Sequence, residues 1–525
     1  MRTFSLPRVL LALASTILFS ELVQAYDEPS PNSWKGNLTF LHTEDSLTFH
    51  YSTPDPDDTN WIGLYLNAGV GLIPEAGKKY SRPSTVWQHA PGREGTVHFP
   101  ARNLRPGRYG VFLNARDGYE WLALPIIVFL SDDGRDIEVI SQKATLPNAR
   151  RGDDYLESIR HLVLDGDGVK FESLHLGSPT WVDVTRDGNM FGTPPDDAAE
   201  DTTTILVWAT RRNSAALLEL TIPVRKKGEP LLDTLKVMSL NLWFGGKKVN
   251  DYHKKQVRFL ATSGVDIVGL QEDHDGSHAR RLAAALGWHY WSSKESVGVI
   301  SRHRIHQELD LGLSAGGVTI SLGKGWTEKV VVWVAHFASR PYGPHGLCFD
   351  GLSVNDVTGG VGRGVDLRRQ QAEATIWRMR SYFSTVDEVP VIVLGDFNEP
   401  SHLDYVEELR DGHCGHSDVP WPVSKRMAEE GFIDSYRVAH PDPAEEEGIT
   451  YSPITPLHDS GRPEPQDRID FIYHKGDQLK VSDSWTYVAG EPKNIPDHRD
   501  NEWTSDHAAV ITVYDISEWE STWHA

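Results

Sequence analysis

The sequence predicts an α/β domain that follows two all-β modules. From about residue 231 onward, short apolar runs alternate with stretches of helical spacing, among them residues 251–262, 277–286, 366–383 and 401–409. This alternation is typical of an α/β architecture. Before that point, short strand-like runs are separated by clusters of turn residues, a spacing that predicts β sandwiches. A chain of 525 residues is too long for one hydrophobic core, so several domains are expected.

Changes in pattern divide the chain into four segments. We assign residues 1–25 to a signal peptide, 26–131 to a β-sandwich accessory module, 132–229 to a second β module and 230–525 to the α/β domain. In the first module, residues 60–65 and 106–109 resemble immunoglobulin-like accessory modules. In the second, the turn Gly192-Thr193-Pro194-Pro195 resembles those of cadherin-like and immunoglobulin-like domains. Neither module shows a set of residues typical of a catalytic or metal site. Each module could bind a glycan or other surface polymer, act as a spacer or only stabilise the protein.

The first 25 residues have the composition of a secretory signal peptide. Arg2 and Arg8 give a basic start, residues 9–19 are an apolar core, and Val23-Gln24-Ala25 offers a cleavage site. A membrane anchor is the alternative, but it needs about 20 apolar residues. We therefore expect a secreted protein without a transmembrane segment. The sequon Asn37-Leu38-Thr39 fits a secreted glycoprotein.

Cys348 and Cys414 are the only cysteines, and both lie in predicted loops. In an oxidising compartment we expect them to form one disulfide bond that closes a large loop in the C-terminal half of the chain. Two free thiols are the alternative.

The formal net charge of −22 weighs against some partners. Nucleic-acid binding depends largely on Lys and Arg side chains that neutralise phosphates. The acidic balance therefore disfavours DNA and RNA as substrates, although a local basic groove is not excluded. It also disfavours simple electrostatic docking on anionic membranes.

A short apolar strand, residues 391–394, ends in Gly395-Asp396-Phe397-Asn398. Side chains two apart on an extended chain point the same way, so Asp396 and Asn398 are presented together. An Asp can hold a hard cation or take a proton, and an Asn can donate to an oxyanion, which suits a phosphate ester. For this motif alone, a turn that merely closes a strand is the alternative.

Other strand-like runs deliver polar residues at their ends in the same way. They supply Asn241, Glu272, His336, Asp470 and the pair Asp506-His507. One such end is usually an ordinary turn, whereas several in one domain indicate residues from many strands converging on one site.

The ordered set of strand ends resembles the endonuclease/exonuclease/phosphatase superfamily, which includes pancreatic-type deoxyribonuclease, exonuclease III-like nucleases, inositol polyphosphate 5-phosphatases and neutral sphingomyelinases. The resemblance covers about residues 232–516. The motifs that carry it are Ser239-Leu240-Asn241, Leu270-Gln271-Glu272, Val334-Ala335-His336, Gly395-Asp396-Phe397-Asn398, Arg468-Ile469-Asp470-Phe471-Ile472 and Ser505-Asp506-His507. It implies two mixed sheets packed face to face, with helices outside and the site at one end of the sandwich.

The resemblance also implies a metal site. Glu272 is the best candidate ligand, since Mg²⁺ takes one or two carboxylates together with water and substrate oxygens. Asn241 would complete the ligand shell or touch the phosphate. Asp506 would be a second ligand or a structural acceptor. Mg²⁺ is the expected ion, with Mn²⁺ and Ca²⁺ as alternatives.

A histidine near the C-terminal end is the leading catalytic candidate. His507 would act as a general base or as a cation that stabilises the phosphate, oriented by Asp470. Asp467 lies in the same motif and is the alternative partner. Asp470 is preferred because Arg468-Ile469-Asp470-Phe471 fits the family pattern better.

The remaining roles implied by the resemblance concern the phosphate and the water. His336 would bind the scissile phosphate, Asp396 would position or deprotonate the attacking water, and Asn398 would steady the oxyanion. The reaction is then an in-line attack on phosphorus. Residues 340–364, which follow His336 and contain Cys348, are a candidate lid or specificity element.

The sequence thus predicts a secreted, Mg²⁺-dependent phosphoric ester hydrolase that acts on a small-molecule or lipid-headgroup phosphodiester or phosphomonoester. An extracellular nuclease is the alternative within this class. An alternative of another class is a non-catalytic glycan or cell-wall binding protein. The complete motif set argues against that reading.

Overall fold

A computed structural model describes the chain over residues 9–10, 36–42, 46–66, 83–100, 103–105, 107–123, 125–130, 137–140, 143–164, 168–174, 181–197, 201–211, 214–227, 229, 231–274, 276–293, 296–309, 314–323, 329–359 and 365–517. The chain divides into two compact units, Met1–Lys226 and Lys227–Ala525. Among the described residues, no helix has both the length and the apolar character needed to cross a bilayer. The predicted signal peptide lies outside the described residues apart from Val9 and Leu10.

The first unit is rich in strands over its described ranges, as the sequence predicts. Its strands are β1 (Val9–Leu10), β2 (Asn37–His42), β3 (Ser46–Ser52), β4 (Trp61–Leu66), β5 (Val86–His89), β6 (Glu94–Pro100), β7 (Gly107–Ala115), β8 (Glu120–Trp121), β9 (Ile126–Leu130), β10 (Glu138–Val139), β11 (Lys143–Thr145), β12 (Ala149–Arg150), β13 (Tyr155–Ser158), β14 (Val163–Leu164), β15 (Lys170–Leu174), β16 (Val182–Val184), β17 (Asn189–Gly192), β18 (Thr202–Arg211) and β19 (Ser214–Arg225), with one 3-10 turn at Arg160–Leu162.

Within the described ranges, these strands surround two large sets of buried apolar side chains, one between Leu38 and Leu130 and the other between Ile137 and Ile222. A smaller aromatic set consists of Trp61, Tyr65, Phe112 and Trp121. β8 ends at Trp121 and β9 begins at Ile126, and Pro125 between them has no N–H to give to a ladder. The immunoglobulin-like character of the modules and their boundaries stay predictions.

The second unit combines strands and helices. Its strands are β20 (Thr234–Asn241), β21 (Ile267–Gln271), β22 (His289–Ser292), β23 (Val297–Ser301), β24 (Ile305–Glu308), β25 (Ala315–Ser321), β26 (Lys329–His336), β27 (Val391–Asp396), β28 (Ile433–Asp434), β29 (Asp470–Lys475), β30 (Lys480–Tyr487) and β31 (Ala509–Asp515). Its α-helices are α1 (Tyr252–Thr262), α2 (Ser277–Leu286), α3 (Gly343–Cys348), α4 (Val354–Gly359), α5 (Val365–Met379), α6 (Pro422–Glu429) and α7 (Ser435–Ala439), and 3-10 turns lie at Phe244–Gly246, Arg380–Thr385, Glu407–Leu409 and Asp497–Asp500.

Two mixed sheets of six strands pack face to face, which confirms the predicted fold class. The first sheet has the order β22-β23-β21-β20-β31-β30, and the second has the order β24-β25-β26-β27-β29-β28. One buried cluster contains side chains of both sheets, such as Val237 and Val299 of the first and Val332 and Ile392 of the second. The near-continuous Val, Ile and Leu runs of these strands fit their burial on both sides.

Helices cover the outer faces of the sandwich. Ala372 and Ile376 of α5 and Val423 of α6 pack against Val331 and Trp333 of the second sheet. On the first sheet, α2 contacts β22 and β23. The expected helix over residues 401–409 is wrong, because only Glu407–Leu409 forms a 3-10 turn there. α2 begins at Ser277, and Gly276 is its N-cap residue.

Two parallel strand pairs bring polar strand ends to one edge. In the first sheet β20 runs parallel to β21, with Asn241 opposite Gln271. In the second, β26 runs parallel to β27, with His336 opposite Asp396. Gly395 has a φ of 147°, and a Cβ there would lie 1.9 Å from the carbonyl oxygen of Ala335. Only glycine therefore lets the two strands stay paired up to Asp396.

The segment after His336 is folded back and cross-linked. It forms α3 and α4, and Cys348 at the end of α3 is bridged to Cys414. The predicted disulfide bond is thereby confirmed. It ties the candidate lid to the segment that follows Asp396.

Candidate active site

Strand ends of both sheets deliver the eight predicted site residues to one cluster. Asn241, His336, Asp396 and Asp470 are terminal residues of strands, and Glu272 directly follows β21. The other three lie in the adjoining loops and are Asn398, Asp506 and His507.

Asp396 lies at the centre of this cluster and is almost completely buried. Its Oδ2 accepts a hydrogen bond from Asn241 Nδ2 at 3.0 Å, across the two sheets. The Nε2 atoms of His336 and His507 lie 3.7 Å and 3.8 Å from the same oxygen. Its Oδ1 accepts the backbone N–H of Asn398 at 2.8 Å. The carboxylate is therefore held in one orientation by four other predicted residues.

His507 is oriented by Asp470. The Nδ1 atom of His507 lies 2.8 Å from Asp470 Oδ2, and its backbone N–H donates to Ser505 Oγ at 3.0 Å. Asp467, the alternative partner, instead accepts hydrogen bonds from Tyr342 at 2.8 Å and Tyr405 at 3.0 Å. The structure pairs His507 with Asp470, which leaves Nε2 to face Asp396.

Glu272 faces the cluster from the first sheet. Asn241 Nδ2 lies 3.5 Å from Glu272 Oε1, and the backbone N–H of Phe244 donates to Glu272 Oε2. Both Glu272 and Phe244 have a left-handed backbone, with φ of 57° and 53°. Such a conformation costs energy for a residue with a side chain and clusters at functional sites.

The side-chain amide of Asn398 is already partly engaged within the protein. Its Nδ2 already donates to the carbonyl oxygen of Phe337 at 3.0 Å, and its own φ is 52°. An amide carries two N–H donors, so one of them stays for a substrate oxygen. The bond to Phe337 also joins the loop after β27 to the segment after β26.

The electrostatics of the cluster follow from burial and from an excess of carboxylates. Burial, helped by Asp470, raises the pKa of Asp396 to about 6 against the opposing effect of both histidines. Burial raises the pKa of Asp506 to about 7, with Glu272 adding to the effect. Burial lowers the pKa of His507, but the carboxylates of Asp470, Asp396 and Asp506 outweigh it and hold that pKa well above its usual value.

The residues present fit a divalent cation. Oδ1 of Asp470 and Oδ1 of Asp506 are buried and have no hydrogen-bond partner within the described part of the chain. A buried carboxylate oxygen without a partner is costly, and a hard cation that takes oxygen ligands relieves that cost. Within the described residues, Asp396, Asp470 and His507 also form a group whose ligand atoms lie within 4.8 Å of one another. Because Asp470 occupies Nδ1 of His507, the carboxylates are the better ligands.

Two further contacts support the cluster and were not singled out from the sequence. Ser505 Oγ donates to the carbonyl oxygen of Asn241 at 2.6 Å, which joins β20 to the segment of His507. Tyr451 forms isolated backbone bridges with both Asp467 and His507. Ser505 lies within a quoted motif, whereas no local pattern marks Tyr451.

A buried ion pair lies beneath the second sheet's strand ends. Arg368 of α5 is fully buried, and its Nη1 and Nη2 donate to the carbonyl oxygens of Ala338 and Pro341 at 2.7 Å and 2.6 Å. Its Nε lies 3.6 Å from Glu399 Oε2. Burial raises the pKa of Glu399 to about 7, although Arg368 acts against this. The pair joins the segment that follows His336 to the one that follows Asn398.

Comparison with known proteins assigns the cluster to a family. Residues 238–507 match the Endonuclease/Exonuclease/phosphatase family. The chain belongs to this family. Its matched region spans every predicted site residue, from Asn241 to His507. The superfamily joins hydrolases of phosphate esters, so the hydrolase prediction agrees with this membership.

A curated relative and several solved structures are similar to this family member. The Caenorhabditis elegans protein named "Uncharacterized protein F14F9.5" is 31% identical over 294 residues, which are 53% of this chain and 91% of that protein. Truncated TDP2 of Caenorhabditis elegans is 16% identical and matches 54% of this chain and 98% of its own, with a TM-score of 0.35. An AP endonuclease from Archaeoglobus fulgidus is 17% identical (54% and 99%, TM-score 0.35), and the 3′-5′ exonuclease NExo from Neisseria meningitidis is 21% identical (54% and 100%, TM-score 0.36). At these TM-scores the similarity to the solved structures does not indicate the substrate of this chain.

Proposed function

We propose that this chain is a secreted, metal-dependent phosphoesterase that hydrolyses a small-molecule or lipid-headgroup phosphate ester by in-line attack of water. The observation that carries the proposal is the convergence on one buried carboxylate. Asn241 and His336 end two different strands, His507 lies just before a third, and all three lie within 3.8 Å of Asp396 Oδ2. Residues of several strands that meet at one titratable group are the mark of a catalytic site.

Asp396 is suited to accept the proton of the attacking water. Its pKa, raised by burial to about 6, lies near neutral pH, where a general base is most effective. The new bond forms between the water oxygen and phosphorus, and the bond from phosphorus to the ester oxygen breaks. The leaving oxygen takes a proton from solvent.

The histidines are suited to bind the phosphoryl group. Asp470 favours the imidazolium form of His507, so its Nε2–H would donate to a phosphoryl oxygen and stabilise the charge that develops there. His336 lies on the other side of Asp396 and would bind the same group. The remaining amide N–H of Asn398 would donate to the oxyanion.

A divalent cation would be held by Glu272, together with Asn241 and Asp506. We propose Mg²⁺, with Mn²⁺ and Ca²⁺ as alternatives. When bound, the cation would neutralise charge on the phosphoryl oxygens. The buried Oδ1 of Asp506, which has no hydrogen-bond partner among the described residues, supports the assignment of this ligand.

Secretion and substrate class are supported by the composition of the chain. The basic start, apolar core and small-residue cleavage site support export, and the disulfide bond fits an oxidising compartment. Asn37 of the sequon is exposed, which glycosylation requires. The charge of −22 favours a small phosphate ester or a lipid headgroup over a nucleic acid.

The test is a substrate panel with the purified full chain. Single-stranded and double-stranded DNA, RNA, sphingomyelin, inositol phosphates and aryl phosphodiesters would be assayed with Mg²⁺ and with EDTA. We expect Mg²⁺-dependent release of product from a small or lipid substrate. Faster cleavage of DNA or RNA would make the chain a nuclease. Absence of any turnover, combined with glycan binding, would support the non-catalytic alternative.

A further inference from the structure

Tyr451 lies beside the catalytic histidine but belongs to none of the strand-end motifs. Its ring centroid lies 5.1 Å from that of His507. Its backbone is held from both sides, because Tyr451 and Asp467 exchange two hydrogen bonds of 3.0 Å, and an isolated bridge joins Tyr451 to His507. The backbone of Tyr451 is therefore held at the edge of the cluster.

The hydroxyl of Tyr451 has hydrogen-bonding capacity that the protein does not use. It makes no hydrogen bond within the described residues, and the side chain is only half-buried. The neighbouring Tyr342 and Tyr405 differ, since both of their hydroxyls donate to the buried carboxylate of Asp467. The rings of Tyr342, Tyr451 and His507 form a row, in which the ring centroid of Tyr342 lies 6.3 Å from that of Tyr451. Unlike the hydroxyl of Tyr451, that of Tyr342 has Asp467 as its partner.

The charged groups near this hydroxyl are mainly acidic. Burial and the carboxylates of Asp506, Glu464 and Asp396 raise the pKa of Tyr451 against the opposing effect of Arg340, so the phenol stays protonated. An anionic phosphate placed here would be repelled by these carboxylates. Binding of a phosphate therefore depends on the neutral and cationic hydrogen-bond donors at the edge of the cluster, and the protonated phenol of Tyr451 is such a donor.

We infer that the hydroxyl of Tyr451 donates a hydrogen bond to a non-bridging phosphoryl oxygen of the substrate. The inference rests on the proposed phosphoesterase function and adds a substrate-binding residue to it. The chemical group recognised is a phosphoryl oxygen anion next to His507, in a mono- or diester alike. No bond is made or broken by Tyr451.

The test compares two substitutions that each remove one hydroxyl. Tyr451→Phe keeps the ring against His507 and removes the free donor, whereas Tyr342→Phe removes the donor that Asp467 uses. With bis(p-nitrophenyl) phosphate and Mg²⁺, we expect Tyr451→Phe to lower kcat/KM about 10- to 100-fold, the usual effect of losing a hydrogen bond to a charged group. Its Tm should stay within about 1 °C of the wild type, because no internal hydrogen bond is lost.

The matched control should behave in the opposite way. Tyr342→Phe leaves a buried carboxylate with one partner fewer, so it should lower Tm and leave kcat/KM within about threefold. Wild-type kcat/KM in Tyr451→Phe would overturn the inference. An equal loss of kcat/KM in both variants would also overturn it, since the effect would then come from the row of rings.

A binding measurement separates this inference from the proposed function. Phenylphosphonate is not hydrolysed, and its affinity for the full chain is read from a ³¹P NMR titration in the presence of Mg²⁺. We expect Tyr451→Phe to weaken this affinity about 10-fold or more. If the wild type hydrolyses none of the substrates, the proposed function fails, whereas unchanged phenylphosphonate affinity in Tyr451→Phe sinks the inference alone.

Discussion

Asn241 and Asp396 join the two sheets of the second unit by one hydrogen bond, with Asn241 Nδ2 3.0 Å from Asp396 Oδ2. Asn241 ends β20 of the first sheet and Asp396 ends β27 of the second. Asn241 Oδ1 also accepts the backbone N–H of Trp243 at 2.9 Å, so its amide orientation is fixed. The site therefore depends on both sheets at once.

Asp396 and His507 are expected to serve one chemical step. Asp396→Asn and His507→Ala should each lower kcat by about two to four orders of magnitude, the scale of a general acid–base group. Because both act on one phosphorus, the double variant should be little slower than the slower single variant. Steady-state kinetics on an aryl phosphodiester measure this.

Asp477→Asn is the matched control for this cycle, because Asp477 is exposed and lies outside the cluster. It should keep wild-type kcat. Near-wild-type turnover in either catalytic variant would place the site elsewhere. Fully additive losses would keep both residues in the site but assign them to different steps.

Glu272→Gln should weaken the dependence of activity on Mg²⁺. The change keeps the shape of the side chain and removes the charge that a hard cation prefers. We expect a higher Mg²⁺ concentration at half-maximal activity, lower kcat at saturation and an unchanged fold by circular dichroism. Isothermal titration with Mg²⁺ gives the affinity without turnover.

The control for Glu272 is Glu502→Gln, which removes an exposed carboxylate that pairs with Arg258 at 2.8 Å. Surface pairs of this kind contribute about 0–1 kcal/mol, so its Mg²⁺ titration should match the wild type. Identical Mg²⁺ titrations for Glu272→Gln and the wild type would contradict the metal assignment.

Asp470→Asn should change the pH dependence of activity. Burial lowers the pKa of His507, and the Asp470 carboxylate is the first of the groups that raise it. Without that carboxylate the imidazolium loses its proton at lower pH. If the imidazolium is the active form, the alkaline limb of the kcat/KM profile moves to lower pH in the variant.

The same shift has a consequence for stability. A histidine whose folded pKa is raised stabilises the folded state fully below its unfolded pKa, and this stabilisation is lost as pH rises through the folded pKa. The Tm of the wild type should therefore fall as pH rises from the unfolded-state pKa of His507 through its raised folded-state pKa, and the Tm of Asp470→Asn should fall less. A pH profile of both kcat/KM and Tm that is identical in the two proteins would disprove the pairing of Asp470 with His507.

The bond between Cys348 and Cys414 is expected to stabilise the segment beside the site. The double variant Cys348→Ser with Cys414→Ser should unfold about 2–4 kcal/mol more easily, as expected for a closed loop of this kind. Urea titration followed by tryptophan fluorescence measures the difference. Because the strand ends hold the cluster, we expect only a small change in kcat under conditions where the variant is folded. Two alkylatable thiols in the native, non-reduced protein would be the contrary result.

The sequence was informative where a feature is local. An apolar run that ends in a polar residue is a short-range pattern, and the strands that end at Asn241, His336 and Asp396 were found in this way. Local patterns also misled. Residues 401–409 have helical spacing, yet Ser401 is fully buried and its Oγ accepts the backbone N–H of Leu403 in a turn. Side chain-to-backbone bonds of this kind compete with a helix.

Contacts between distant strands have little local signal. The motif around Asp470 favours it over Asp467, but the physical reason is long-range, because β29 begins at Asp470 and places it opposite Asp396 in the ladder. The bond between Asn241 and Asp396 depends on how two sheets face each other. The position of Tyr451 depends on two isolated bridges that no periodicity predicts.

The ion pair of Arg368 and Glu399 is such a long-range contact, and it yields the last prediction. Arg368 holds the carbonyl oxygens of Ala338 and Pro341 just after His336, and Glu399 follows Asn398 in the next loop. We expect the pair to fix the position of His336 relative to Asp396. Arg368→Lys keeps the charge but cannot reach both carbonyls with a planar fork.

We expect Arg368→Lys to lower kcat about 10-fold at temperatures where circular dichroism shows a folded protein, with little change in KM. It should also lower Tm, because a carbonyl oxygen of Ala338 or Pro341 loses its buried hydrogen-bond donor. Arg380→Lys is the matched control: Arg380 contacts Glu430 at 3.4 Å, but its side chain is 54% exposed. That control should change neither kcat nor Tm measurably. A folded Arg368→Lys enzyme with wild-type kcat would show that the pair is only structural. A lower Tm alone is expected when any buried ion pair is disturbed. A loss of kcat in the folded state, in contrast, is expected only if the pair fixes the distance between His336 and Asp396.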